Sequence, residues 1–275
     1  MTIVSSHGLA SHHVEWELST LERDQLPRLV KGDVHLWAMK LEQPIEGKEV
    51  SNLDQQEAIY LPWLSSQESK KYTRLPANQK SHYLSGRIVL RKLLGAYLDK
   101  SPQDVGLAFG AYGKPTLLDS DGGPWFNYSD TQGMVIYAFG RSGELGIDIE
   151  HLSRATDYRR ILKRKFSLAE AEEVAGTTER FSREIISQRF LAAWTRKESY
   201  GKAIGFGVNY KMNEIEVAKD LGLANISFSA DGISWCLTQL LFTEYVVSLT
   251  TSNFENLRCF RLGNQIQSVT ATEAQ

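Results

Sequence analysis

The sequence predicts an α+β fold, and three observations carry that prediction. Helix-length amphipathic patterns run over 79–98, 155–175 and 182–204. Short alternations of apolar and polar residues, bounded by Gly, Pro and Asp clusters, read as strands and hairpins. The order strand, helices, hairpin occurs twice, with a break near Ser142–Gly143, although no run of identities repeats. The expected divisions are a polar leader over 1–30, an N-terminal α+β subdomain over 31–142, a C-terminal α+β subdomain over 143–252 and a tail over 253–275. Leader and tail are sparse in apolar residues and are expected to be poorly ordered.

Taken in order, Val34, Leu36 and Ala38 alternate with polar neighbours and predict a strand. Leu53–Leu64 and Ser66–Leu75 follow as short helices limited by Pro62 and Pro76. The longer helix over 79–98 carries Tyr83, Ile88, Leu90, Leu94 and Leu98 among its apolar positions. Beyond Pro102 the texture changes to AYGKPTLL, a DSDGGP turn, WFNYSD and MVIYAFG, an antiparallel hairpin region. LGIDIE reads as a further strand, and ISFSADGISWCLTQLLFTEYVVSLT as hairpins again.

Composition excludes several classes. The 275 residues carry 31 basic and 33 acidic side chains, a formal net charge of −2, which gives no global reason to bind nucleic acid. Cys236 and Cys259 stand in no metal-ligand or redox spacing and suit a reducing compartment. The first residues lack the basic start and apolar run of a secretory signal, and no apolar stretch approaches the ~20 residues that span a bilayer. The expectation is a cytoplasmic protein with neither nucleic-acid nor membrane partners. His7, His12 and His13 are read as part of the polar leader.

Two segments concentrate charge in a way that suggests chemistry. In LGIDIE, Leu145, Ile147 and Ile149 alternate with Gly146, Asp148 and Glu150, so the two carboxylates share one face of a strand. They repel each other unless a cation lies between them, and such oxygen donors suit Mg²⁺; a solvated acidic face is the plainer reading. In the helical segment ISQRFLAAWTRKESYGKAIGFG, Phe190, Trp194, Glu198 and Lys202 are spaced by four and lie on one stripe. Aromatics define that stripe as the packed one, yet an acid and an ammonium continue it. A shared metal or phosphate resolves the conflict; a surface Glu–Lys pair is the alternative. Gly205 and Gly207 are expected to end the helix. Lys114, Asn127 and Ser129 offer a charge and hydrogen bonds suited to phosphate, and Lys70, Lys71, Arg74, Lys80, Arg87 and Arg91 concentrate positive charge on two helices.

Read in order, GKP at Gly113–Pro115, Asn127–Asp130, GIDIE at Gly146–Glu150, FSLAE at Phe166–Glu170 and WTRKESYGK at Trp194–Lys202 resemble the Sfp-type 4′-phosphopantetheinyl transferases, over roughly residues 60 to 250. The resemblance implies a monomer of two similar α+β subdomains related by a pseudo-twofold, with coenzyme A in the cleft between them. It implies Mg²⁺ held by Asp148, Glu150 and Glu198, and catalysis by Glu198, Lys202 and Asp148. Lys71, His82, Lys114, Pro115, Ser129, Asp130, Lys197 and Lys202 would contact coenzyme A. The implied reaction transfers 4′-phosphopantetheine from coenzyme A to a serine of an apo acyl or peptidyl carrier protein and releases 3′,5′-ADP. Arg159, Arg160, Lys163, Arg164 and Lys165 form a basic helix, which reads either as a solvated face or as a docking face for acidic carriers of fatty-acid, polyketide or peptide synthesis. Asp130 stands where the family pattern has histidine, which places a negative charge beside an expected phosphate. Two rivals remain at this stage: a Mg²⁺-dependent phosphohydrolase on the same carboxylates, and a non-catalytic coenzyme A or carrier-binding protein.

Overall fold

A computed structural model describes residues 2–4, 9–13, 16–19, 21, 26–41, 53–119, 122–176, 181–206 and 212–263. The first sheet has five strands. β4 (Asp33–Lys40), β8 (Met134–Gly140) and β7 (Trp125–Thr131) pair antiparallel, and β13 (Asn256–Leu262) and β3 (Trp16–Ser19) extend the β4 side in parallel. The second sheet has six: β9 (Leu145–His151), β12 (Tyr245–Thr251) and β11 (Ile233–Phe242) are antiparallel neighbours. β10 (Asn225–Ala230) pairs with one end of β11, and β2 (Ala10–His13), followed by β1 (Thr2–Val4), lies along the other. β5 (Leu107–Phe109) and β6 (Pro115–Leu117) form a small hairpin.

The pleat of β8 explains the layering. Its residues are buried on both faces: Val135, Tyr137 and Phe139 point toward α3 (Ala77–Leu98), where they meet Leu90, Leu93 and Leu94. Ile136 and Ala138 point the other way, onto Ile147 and Ile149 of β9 and Val247 and Leu249 of β12. The two sheets therefore pack face to face with α3 outside the first. Against the far side of the second lies α6 (Arg183–Ala203), with α4 (Tyr158–Lys165) and α5 (Leu168–Ala175) around it. Burial on both faces makes β8 apolar throughout rather than alternating.

Helix ends are set locally. Ser167 and Glu170 form a capping box on α5, and Ser65 and Glu68 do the same on α2 (Ser66–Arg74); the Ser182 hydroxyl accepts from the Ile185 amide at the start of α6. The segment 155–175, predicted as one helical stretch, is two helices broken at Phe166–Ser167, where the Ser167 cap starts a new one. Leu53–Leu64 is α1 (Leu53–Tyr60) followed by a tighter turn at Leu61–Trp63, where Pro62 cannot continue the amide ladder.

Parts of the expected leader and tail form strands. Residues 2–4 and 10–13 extend the second sheet beyond β11, while 16–19 and 256–262 belong to the first. Short polar strands such as ASHH carry little periodicity of their own and are held by hydrogen bonds to a distant strand. His7, Gly207 and 264–275 lie outside the described residues. Among the described residues, no helix is long and apolar enough to cross a membrane.

Candidate active site

The edge strands β7 and β9 bring the two sheets together at one line of polar residues. Ile147 and Ile149 enter the core, so Asp148 and Glu150 face outward together, each only 5% exposed. Ser129 and Thr131 of β7 share a face by the same two-residue period. The Ser129 hydroxyl donates to Asp148 Oδ1 at 2.7 Å, and the Thr131 hydroxyl to Glu150 Oε2 at 3.1 Å. Asn127 Oδ1 accepts from the Ile147 amide at 3.1 Å and ties the strands one step earlier.

Helix α6 lies across β9 and β12 at unusually close range. A methyl group on Gly146 would collide with the Ser199 carbonyl oxygen and the Ala203 nitrogen, so only glycine admits the helix there. Hydroxyl pairs fix its register: Thr195 with Ser248 at 2.9 Å and Ser199 with Thr250 at 2.8 Å. The aromatic stripe packs as predicted, with the Phe190 and Trp194 rings 6.1 Å apart. Continuing that stripe, Glu198 is buried and the Lys202 ammonium donates to Asp148 Oδ1 and Ser129 Oγ, both at 2.7 Å.

Electrostatics set this line apart from the rest of the surface. Glu198 is pushed up to about 7, chiefly by burial and then by the charge of Asp148, with Lys202 opposing. Glu150 is also raised, by burial and by Asp148, with Arg154 opposing. Asp148 Oδ2 and Glu198 Oε1 are buried oxygens with no hydrogen-bond partner among the described residues. Buried carboxylate oxygens left in that condition are costly. As the side chains stand, however, the three acids do not converge: among the described residues no group of three His, Cys, Asp or Glu is placed to hold a metal ion. Asp148 leans on Lys202, and Glu150 pairs with Arg154 and Thr131. The donor set nonetheless fits a hard divalent cation, since it offers only oxygens, two of them unsatisfied, with the Asp148 charge raising Glu150 and Glu198.

Beside it, Thr131 also lines a cleft of about 480 Å³ with Lys71, His82, Tyr83, Arg87 and Asp130. The buried Arg87 guanidinium lies 4.0 Å from the centre of the Tyr128 ring and 4.8 Å from that of Tyr83. Burial lowers Lys71 and His82, and Asp130 opposes the fall in both. The cleft thus gathers Lys71, His82 and Asp130 on one lining.

Other predicted contacts lie elsewhere. Lys197 is 2% exposed; its ammonium meets Glu170 at 2.6 Å and donates to the carbonyls of Met212 and Ile215 at 2.5 and 2.7 Å. All three N–H groups are engaged, which leaves none for a nucleotide. Glu170 of the FSLAE motif is likewise structural, capping α5 and accepting from the Ala218 amide. Pro115 is buried opposite Phe109 in the small hairpin, and Lys114 reaches the end of α6 rather than the cleft. Sequence reasoning overlooked Thr131 and Arg154 as partners of Glu150. Thr131 was findable, since it stands two residues beyond Ser129 on the same strand face.

The chain is similar to known proteins. Residues 144–250 match the sequence profile of the 4′-phosphopantetheinyl transferase superfamily. The 4′-phosphopantetheinyl transferase HetI of Nostoc sp. strain PCC 7120 is 34% identical over 194 residues, which cover 69% of this chain and 76% of that protein. The chain belongs to the 4′-phosphopantetheinyl transferase superfamily. A putative 4′-phosphopantetheinyl transferase of Synechocystis sp. strain PCC 6803, slr0495, is 31% identical over 174 residues, 62% of this chain and 68% of that protein. The human L-aminoadipate-semialdehyde dehydrogenase-phosphopantetheinyl transferase is 28% identical over 142 residues, 48% of this chain and 45% of that protein. As a 4′-phosphopantetheinyl transferase, the protein is an enzyme, and the phosphohydrolase and pure-binder readings fall away.

Proposed function

We propose that this transferase moves 4′-phosphopantetheine from coenzyme A to a serine of an apo acyl or peptidyl carrier protein, with Mg²⁺ held by Asp148, Glu150 and Glu198. One observation supports the reading above the others. A line of buried carboxylates with unsatisfied oxygens stands next to a cleft lined by Lys71, His82 and Arg87. Bound at the carboxylates, the cation would neutralise pyrophosphate charge and polarise the phosphorus under attack.

The chain's own residues divide the remaining work. The Lys71, His82 and Arg87 side chains suit the phosphate-bearing nucleotide end of coenzyme A, and the Tyr83 and Tyr128 rings hold Arg87 in place. Lys202, carried on a rigid helix, donates to the oxygens of the departing 3′,5′-ADP as the pyrophosphate bridge breaks. The new bond joins the serine oxygen to phosphorus, and the serine proton passes to Glu198. Burial and Asp148 raise that carboxylate to about 7; a bound cation would lower it, so the transfer runs directly or through a water.

Helix α4 exposes Arg159, Arg160, Lys163 and Arg164 while Tyr158 and Leu162 anchor it, so it presents a basic face that fits an acidic carrier. We read the protein as a cytoplasmic monomer whose subdomains, 31–142 and 143–252, are related by a pseudo-twofold. The two passes of strand, helices and hairpin support that relation. Intact-mass spectrometry of several apo carriers after incubation with coenzyme A and Mg²⁺ tests the proposal. A phosphopantetheine-sized gain that Glu198→Ala abolishes is expected; the same gain with the substituted enzyme would remove Glu198 from the chemistry.

A further inference from the structure

The end of α6 raises a question that its own hydrogen bonds do not answer. The last four carbonyls of a helix have no partner within it. Here the Ile204 amide donates to Tyr200 at 3.1 Å, the Phe206 amide to Gly201 at 3.0 Å and the Gly205 amide to Lys202 at 3.2 Å. Gly205, at φ +80°, makes this close possible. Among the described residues no amide donates to the Ala203 carbonyl, and Lys114 does: Nζ lies 2.5 Å from that oxygen.

Lys114 does a second thing from the same position. Its ammonium is also 3.4 Å from the Leu145 carbonyl, at the start of β9. Leu145 and Ala203 flank the point where the helix presses on Gly146. One cation therefore spans the seam between the helix that carries Lys202 and the strand that carries Asp148. A cation at a helix C-terminus also meets the negative end of the helix dipole. The supporting turn is itself closed, with the Gly113 amide donating to Gly110 and the Gly110 amide to Lys114, both at 2.9 Å. From that same turn Tyr112 contributes a ring contact with Phe206, 5.0 Å between centres, just past the helix end.

We propose that Lys114, with Tyr112, is a positioning residue that latches the C-terminal end of α6 to β9 and so sets Lys202 and Glu198 over Asp148. This rests on the roles given above to Glu198 and Lys202. It differs from the nucleotide contact that the GKP motif implied for Lys114, and the two make opposite kinetic predictions. A latch acts on the geometry of the reacting groups, so its loss lowers kcat. A nucleotide contact acts on binding, so its loss raises the KM for coenzyme A.

The test uses the full chain with Lys114→Met, Lys114→Arg and Tyr112→Ala, an apo carrier modified by the wild type, and hydrogen exchange of the amides at 204–206. In Lys114→Met, kcat should fall at least about tenfold while the KM for coenzyme A stays within about twofold, and the three amides should exchange about tenfold faster. Lys114→Arg, which can still donate to both carbonyls, should recover part of kcat and most of the protection. Tyr112→Ala trims an exposed ring and should show the same pattern at roughly two- to threefold amplitude, which keeps the test open if Lys114→Met does not fold. A raised KM with intact kcat, or unchanged exchange in Lys114→Met, overturns the latch. Failure of the wild type to modify any carrier would overturn the proposed function instead, while the exchange measurement still reads the latch.

Discussion

The Lys202 ammonium stands 2.7 Å from Asp148 Oδ1, and this contact joins the long helix of one layer to the edge strand beneath it. An ammonium placed there neutralises one carboxylate while its neighbours Glu150 and Glu198 remain raised. Lys202→Met should therefore lower kcat by about two to three orders of magnitude, as loss of one donor to a developing charge does elsewhere. Coenzyme A should still bind, so calorimetric titration with it beside turnover separates the two effects. Loss of binding with unchanged kcat would assign Lys202 to the ground state.

Asp130 shares the cleft beside Thr131 with Lys71 and His82 and opposes the lowering of both. It offsets part of the positive charge that a phosphate would otherwise meet. Asp130→His should lower the KM for coenzyme A severalfold and steepen its dependence on salt. An unchanged KM would show that Asp130 turns away from the ligand.

Lys197 and Glu170 form a buried pair, and removing one partner strands the other. Lys197→Met should cost about 3–5 kcal/mol of stability by denaturant unfolding. Whatever folded protein remains should keep its KM for coenzyme A, since no Lys197 N–H is left for a ligand.

Gly146→Ala tests the contact between α6 and β9. The added methyl would meet backbone rather than a yielding side chain, so the helix must move. The expected loss is at least about 2 kcal/mol in thermal or denaturant unfolding, with activity falling further than stability because Glu198 and Lys202 move too.

His35 supplies a pH dependence remote from the site. It is fully buried, its Nδ1 lies 2.9 Å from the Tyr97 hydroxyl, and burial lowers it to about 4 against the opposing charge of Asp33. A depressed base of this kind contributes stability that is present above the ordinary value of 6.5 and lost as pH falls through about 4. Across that window it is worth about 3 kcal/mol. His35→Gln should flatten the fall in stability between pH 6.5 and 4, measured by urea unfolding at each pH. An equal slope in both proteins would reject the assignment.

The chemistry-bearing elements were legible because they obey two short periods. A two-residue alternation placed Asp148 with Glu150, and a four-residue spacing placed Glu198 and Lys202 on an aromatic stripe. Lys71, His82 and Asp130 line one cleft, although only Asp130 falls within a motif. Motifs failed where the direction of a long side chain decides its role: Lys114 and Lys197 occupy the expected positions, but their ammonium groups turn to backbone carbonyls and Glu170. The strands at 10–13, 16–19 and 256–262 were illegible for another reason. Their partners lie far off in sequence, and segments of four to seven residues hold no pattern that names a distant neighbour.

That last strand has a consequence for how the protein is made. Asn256 donates to Asp33 across 223 positions of chain, inside a sheet whose other strands are synthesised long before. During translation the early sheet must wait with its β4 edge unpaired until residues 256–262 leave the ribosome. A ribosome-bound nascent chain lacking them should present that edge to chaperones, and folding to the native topology should wait for that segment.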